Sequence, residues 1–337
     1  MPVTLANIAQ ACGVSTSTVS LALRDHPRIP AATKARIKAA ADRLGYVPNR
    51  SISRVMAEIR AGGRTRTFKE SLGYFTADVK DRSREYEQRL FAGAEARASE
   101  IGYGLDRFEL GKHGLSLSQL GKVLASRGIR GLILAPWPEA HVELELEWKG
   151  LASVAIGYSL EKPEIHRVTR NVMHTLRSVF PELVAQGYRR IGFVMERSHE
   201  ERMEYMTLAA FQLHAFLTPE NDRVPALVEN NLEEGVFNKW VAANEPDIIF
   251  TMHRPVLDWL QSSGYRVPEE VGVFYFNCEG PDSQLSGIYP AYENIGAAAV
   301  DQVAALVERG GFGIPDCATT VTVPGIPCRG STLRNIQ

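Results

Sequence analysis

Residues 4–20 read Thr-Leu-Ala-Asn-Ile-Ala-Gln-Ala-Cys-Gly-Val-Ser-Thr-Ser-Thr-Val-Ser, a pattern with very few ways to fold. Leu5, Ile8, Ala9 and Cys12 recur at i, i+3, i+4 and i+7, the spacing of one face of a short helix. Thr4 stands where such a helix is capped, and Gly13 where it stops. Ser15 then caps a second helix after a turn of about three residues. Val14 and Val19 flank that cap as a hydrophobic staple, which fixes the angle at which the chain enters the helix. Two short helices joined by a tight turn containing glycine form a helix-turn-helix. A third helix is predicted over 31–44, with Ile37, Ala40, Ala41 and Leu44 inward and Gly45 as its stop.

Charge agrees with a nucleic-acid partner. Residues 1–70 carry 12 Lys and Arg against 4 Asp and Glu, a local balance of +8. The rest of the chain then holds −9, which brings the total to −1. A near-neutral protein thus has a strongly basic head, the distribution that binding to phosphates requires.

The head and the residues beyond it, Val3-Thr4-Leu5, Gly13-Val14-Ser15, Ser17-Thr18-Val19-Ser20 and Leu44-Gly45-Tyr46-Val47-Pro48-Asn49, resemble the start of the LacI/GalR family of bacterial transcription regulators. The resemblance continues at lower density to Arg329-Gly330-Ser331-Thr332, which is similar to the family's closing strand. It implies a homodimer that binds double-stranded operator DNA and, in most such proteins, represses transcription. Thr16, Ser17, Ser20 and Leu21 lie on the outward face at the start of the second helix, which is expected to enter the major groove. Thr4, Ser15, Thr18 and Arg24 complete the candidate contacts of the head.

A linker follows from about Val47 to Glu70. Pro48 breaks the third helix. Residues 51–59 can form a short helix with Ile52, Val55, Met56 and Ile59 on one face, too short to hold in isolation. The resemblance implies a hinge helix that folds on the operator and wedges an apolar side chain into the minor groove. The family usually has Leu at the wedge; this chain has Val55, with Met56 beside it. Asn49, Arg50 and Arg54 are the polar candidates here. A simple flexible tether is the other reading.

A length of 337 residues suggests two to three domains, and 45% apolar residues support a sizeable core. The four cysteines show no Cys-x-x-Cys spacing and read as reduced thiols. The N-terminus lacks a basic-then-apolar signal pattern, and apolar runs such as 132–135 are too short to cross a membrane. A cytoplasmic protein with no membrane partner is expected. From residue 71 strand and helix signals alternate, which predicts parallel sheets joined by right-handed crossovers. The resemblance implies a periplasmic-binding-protein-like core of two doubly wound parallel-sheet subdomains. The expected boundaries are 1–48 for the helix-turn-helix domain, 49–70 for hinge and linker, and 71–337 for the core. Subdomain one is placed at about 71–168 plus 291–313 and subdomain two at about 169–290 plus 314–337, with Gly310–Gly313 as a crossover.

Ligands of such sheets bind beyond the carboxyl ends of the strands. The candidate effector residues are Tyr86, Trp137, Arg170, Arg202, His253, Arg254 and Asn277. Arg202 resembles the family's ligand-binding Arg, and Tyr86 its aromatic platform; Trp137 adds a second flat face. Four positions that are often acidic in the family have changed: Gly157, Arg170 before Asn171, His253-Arg254, and Asn277. Arginine forks match carboxylate and phosphate, so one expectation is a sugar-like effector that is acidic. The other is that the arginines pair with acidic neighbours in a degenerate pocket. Enzyme signatures such as Gly-x-x-x-x-Gly-Lys-Ser/Thr, His-Glu-x-x-His and Gly-x-Ser-x-Gly are absent, so neither catalysis nor a cofactor is expected. His199-Glu200-Glu201 lacks a second His at ligand spacing and reads as a solvated run. A cytoplasmic sugar-binding protein without regulatory role is the alternative, and the DNA-reading head argues against it.

Overall fold

The computed structural model describes residues 5–23, 29–44, 69–77, 83–110 and 116–334. The chain divides into two compact units, Met1–Thr67 and Phe68–Gln337.

The first unit holds three helices, Leu5–Cys12, Thr16–Leu23 and Ala31–Leu44. Ile8, Val19, Ala22, Ile37, Ala40 and Ala41 form its buried core, with Val14 and Cys12 packed against it. Gly13 turns the chain at φ +61, a left-handed conformation that only glycine adopts without strain. Ser15 Oγ accepts a hydrogen bond from Thr18 N at 3.1 Å, which caps the second helix. Leu44, expected inward, is 37% exposed at the last residue of its helix. Thr4, Arg24, Asn49, Arg50, Arg54, Val55, Met56 and the expected hinge helix lie outside the described residues.

The second unit contains two six-stranded sheets. The first runs β13-β7-β5-β3-β1-β2 and is parallel throughout. Its strands are β1 Lys69–Ala77, β2 Tyr103–Leu110, β3 Gly131–Leu134, β5 Ala152–Ile156, β7 His166–Arg170 and β13 Thr320–Val323. The second runs β14-β12-β11-β10-β8-β9. It comprises β8 Ile191–Glu196, β9 Leu227–Glu229, β10 Ile248–Thr251, β11 Gly272–Tyr275, β12 Gly287–Tyr289 and β14 Ile326–Cys328, with β14 antiparallel. A small pair, β4 Val142–Glu143 and β6 Leu160–Lys162, stands apart. Strands β3 and β5 are buried along their whole length, as strands covered by helices on both faces must be.

The helices Ser83–Glu100 and Tyr292–Arg309 cover one face of the first sheet and touch through glycine. A Cβ on Gly93 would stand 2.0 Å from the Glu293 carbonyl oxygen, and one on Gly296 2.0 Å from that of Leu90. Helices Val172–Ala185 and Met206–Leu217 form one core with the second sheet, and Glu234–Asn244 and Pro255–Ser262 another. The helix Met206–Leu217 starts only after a turn in which Glu204 and Tyr205 have φ +50 and +55.

The chain passes between the sheets near 171, 290 and 324. The last passage is about ten residues later than expected. Gly310–Gly313 is no crossover: Gly310 ends the helix Tyr292–Arg309, and Gly313 N donates to Leu151 O at 2.8 Å within the first half. The strand β13 then joins β7 before the chain leaves, so the first half reaches to 323.

Candidate functional site

A cavity of about 610 Å³ lies where the two sheets face each other. Its walls come from residues just past the carboxyl ends of strands: Trp137 after β3, Gly157 after β5, Arg170 ending β7, His199 after β8, His253 after β10 and Asn277 after β11. That is where open parallel sheets bind ligands. The helix ends carrying Tyr86 and Tyr292 close one side.

All seven sequence-predicted effector residues line this cavity, in different states. Tyr86 is half-buried, with its ring 5.7 Å from that of Tyr292 at 34°. Burial pushes the Tyr86 phenol up, against the pull of Arg202 and Arg170. The Tyr292 hydroxyl donates to Asn277 Oδ1 and so fixes the amide. Trp137 is less available than expected. It is 5% exposed, tilted against Phe75 at 5.9 Å, and its backbone N–H donates to Ser159 Oγ at 2.8 Å. It belongs to the core and offers the cavity only a margin. Gly157 has φ +75, so the place of a frequent family Asp is held by a residue suited to the left-handed turn.

Four arginines line the cavity, and two are neutralised. Arg254 meets Glu279 at 2.8 Å, and Arg89 meets Glu293 at 3.2 Å and Glu85 at 3.8 Å. Arg170 donates to Met203 Sδ at 2.9 Å, and Arg202 to the Ser198 carbonyl at 3.4 Å. Among the described residues neither has a carboxylate within ion-pair distance.

Glu196 stands 3.5 Å from His253 Nδ1 and 3.7 Å from His199 Nδ1. Burial lowers the His253 pKa while Glu196 opposes it. His199 is lowered to about 4, first by burial and then by Arg202, His253 and Arg170. Its Nδ1 is buried and has no hydrogen-bond partner among the described residues. The 199–201 run is therefore not a solvated surface. Glu200 is fully buried, accepting from the Thr207 hydroxyl and, at 3.1 Å, from Leu208 N. The sequence places His199 and Glu200 on a solvated surface although His199 lies three residues from the predicted Arg202, and it does not single out Tyr292. No group of three His, Cys, Asp or Glu side chains among the described residues is placed to hold a metal ion.

In the head, Ser15, Thr16 and Ser17 are exposed, while Thr18 and Leu21 are half-buried. Ser20 lies in the same helix, Thr16–Leu23.

Residues 4–49 match the model of bacterial regulatory proteins, lacI family, and residues 180–332 that of the periplasmic binding protein-like domain. The head is a lacI-family domain. Relatives include the maltose regulon regulatory protein MalI of Escherichia coli (strain K12), 27% identical over 57% of this chain. The HTH-type transcriptional regulator PtxS of Pseudomonas plecoglossicida is 29% identical over 62% of it. The chain spans 53% and 58% of the length of those two relatives. The fold is that of the lac repressor dimer bound to operator and the anti-inducer ONPF, with TM-score 0.55 and 18% identity, covering 98% of this chain and 99% of that one. A CelR–cellobiose complex matches with the same TM-score and identity over 98% of this chain and 99% of that one. Among the described residues no helix is long and apolar enough to cross a membrane.

Proposed function

We propose that this chain is a sequence-specific transcriptional regulator, a repressor switched by a small sugar-like effector in the cavity between the two sheets. The carrying observation is the head: a capped second helix that presents Ser15, Thr16 and Ser17 to solvent, within a segment matching the lacI family. Short hydroxyl side chains at the start of such a helix bond base edges in the major groove, and Leu21 adds an apolar contact for a thymine methyl.

The proposed working form is a cytoplasmic homodimer. One head reads few bases, so two heads on a near-palindrome supply the specificity. The proposed domains are a head to about residue 48, a hinge over 49–70 that places Asn49, Arg50, Arg54, Val55 and Met56 on the duplex, and the two-sheet core. Thr4 and Arg24 join the head contacts. The cavity residues serve recognition and not catalysis.

Fluorescence anisotropy with DNA from around the chain's own gene tests the reading. Ser17→Ala and Leu21→Ala should each lose about 1–3 kcal/mol on the preferred site and far less on random DNA. Equal losses on both kinds of DNA would remove the second helix as the reader. Failure of the wild type to prefer any site would remove the regulator reading.

A further inference from the structure

We infer that the cavity takes an anionic, sugar-sized ligand whose charged group sits against Arg170 and Arg202, with His199 taking up a proton to bond it. The inference rests on the reading of the cavity as the effector site and names the ligand's class.

Three observations converge. A volume of about 610 Å³ suits a monosaccharide-sized guest, and Tyr86 and Tyr292 give it an aromatic wall. The charges are unevenly settled: Arg89 and Arg254 have carboxylate partners, whereas Arg170 and Arg202 make only weak neutral contacts. The two share a neighbourhood, since Arg170 reaches Met203, the residue after Arg202. Positive charges gathered behind protein walls are screened less than in open water, so an arriving anion gains more there. Guanidinium forks suit the planar oxygen pair of a carboxylate and the oxygens of a phosphate alike.

The third observation is the buried, unpartnered Nδ1 of His199, on the cavity wall. Buried polar atoms normally have partners, and this nitrogen has only the Glu196 carboxylate, 3.7 Å away and beyond hydrogen-bond length. The charged and titratable groups around this ring are Glu196 from β8, Arg170 from β7, Arg202 from the following turn and His253 from beyond β10. Glu200 beside it is occupied by Thr207 and Leu208. Burial first, and then Arg202, His253 and Arg170, keep this imidazole neutral. A bound anion offsets these charges, so the proton becomes favourable and supplies the missing donor.

Calorimetric titration of the full chain with glucose, glucuronate and glucose 6-phosphate tests this, at pH 6 and 7.5 and in buffers of different ionisation enthalpy. At least one acidic probe should bind about tenfold or more tighter than glucose; glucuronate, which stays ionised across this pH range, should bind more tightly at pH 6, with net proton uptake. Which of the two prevails separates a sugar acid from a sugar phosphate. Arg170→Gln should erase the preference for the acid, and Arg202→Gln does the same should the first variant fold poorly. His199→Gln should remove the proton uptake and the pH dependence. Glucose binding as tightly as both acids, binding of none of the three, or an acid preference unchanged in the arginine variants would overturn the inference. Proton uptake that persists in His199→Gln would remove that residue's part. Operator binding in the same preparations keeps the outcomes apart, because a chain that binds operator but no anion loses only the ligand class.

Discussion

At His199 the imidazole is neutral, buried beside cations, with a pKa near 4 against 6.5 for a free side chain. The unfolded chain therefore binds more protons than the folded one between these values. Stability present above about pH 6.5 is lost as the pH falls toward 4. His166, His214 and His253 are lowered too, so all four act in the same direction. His199→Gln should make the decline shallower, read as the difference in urea midpoint between pH 7 and 5. An unchanged difference would mean the ring is not held neutral. Ser15 is a simpler case. Losing its bond to Thr18 N in Ser15→Ala should cost the head about 1 kcal/mol, seen as faster hydrogen exchange in the helix Thr16–Leu23. That cap was legible because it is local: Ser15 Oγ and its donor, Thr18 N, are three residues apart. The burial of Glu200 was not, since Thr207 and Leu208 return to it only after the left-handed Glu204–Tyr205 turn.

Among the elements, the helices Ser83–Glu100 and Tyr292–Arg309 depend on a contact that only hydrogen fits. Alanine in place of glycine ordinarily favours a helix by about 1 kcal/mol. Here the added methyl would meet a backbone carbonyl at 2.0 Å, and rigid backbone cannot yield as a side-chain tip does. Gly93→Ala and Gly296→Ala should each destabilise the core by about 1–3 kcal/mol or more, measured by chemical denaturation. Stabilisation by either would show that the helices have room to part. Strands such as β3 and β5 were evident as apolar runs. The helix Leu117–Arg127 was missed although its signal was present: Ser116 and Gln119 form a reciprocal capping box. The strand β13 could not be assigned to a sheet from its Thr-Val-Thr-Val pattern, because a strand's own residues do not reveal which edge it joins. Arg254 was legible as a cation near the cavity. Its partner Glu279 sits 25 positions away on another loop, so its neutralisation was not.

For the whole molecule, the basic head predicts binding that weakens steeply with salt. Two heads making about 6–10 phosphate contacts should lose about 10³–10⁵ in affinity between 50 and 200 mM salt. A shallow slope, or one protomer per operator in analytical ultracentrifugation, would sink the dimer. Ligand and DNA must affect each other's binding by the same factor, so a ligand that leaves operator affinity unchanged is no effector.

The three passages between the sheets are short and lie side by side. Asn171 N donates to Val323 O at 2.8 Å, Asn171 Nδ2 reaches Thr322 at 3.0 Å, and Tyr289 pairs with Ile326 across β12 and β14. Bonds thus tie the three passages to one another, and rotation about them, as of a door on its hinges, is the simplest way for the two halves to part. How wide the cleft opens is then set at this axis, remote from the residues that would touch a guest. Asn171→Ala removes one cross-link of the axis together with the cap on His174 N. It should change the rates at which a guest enters and leaves more than it changes the chemistry the guest meets. The specificity of such a chain and the speed of its response would then be separately adjustable, one in the cavity wall and the other at the hinges.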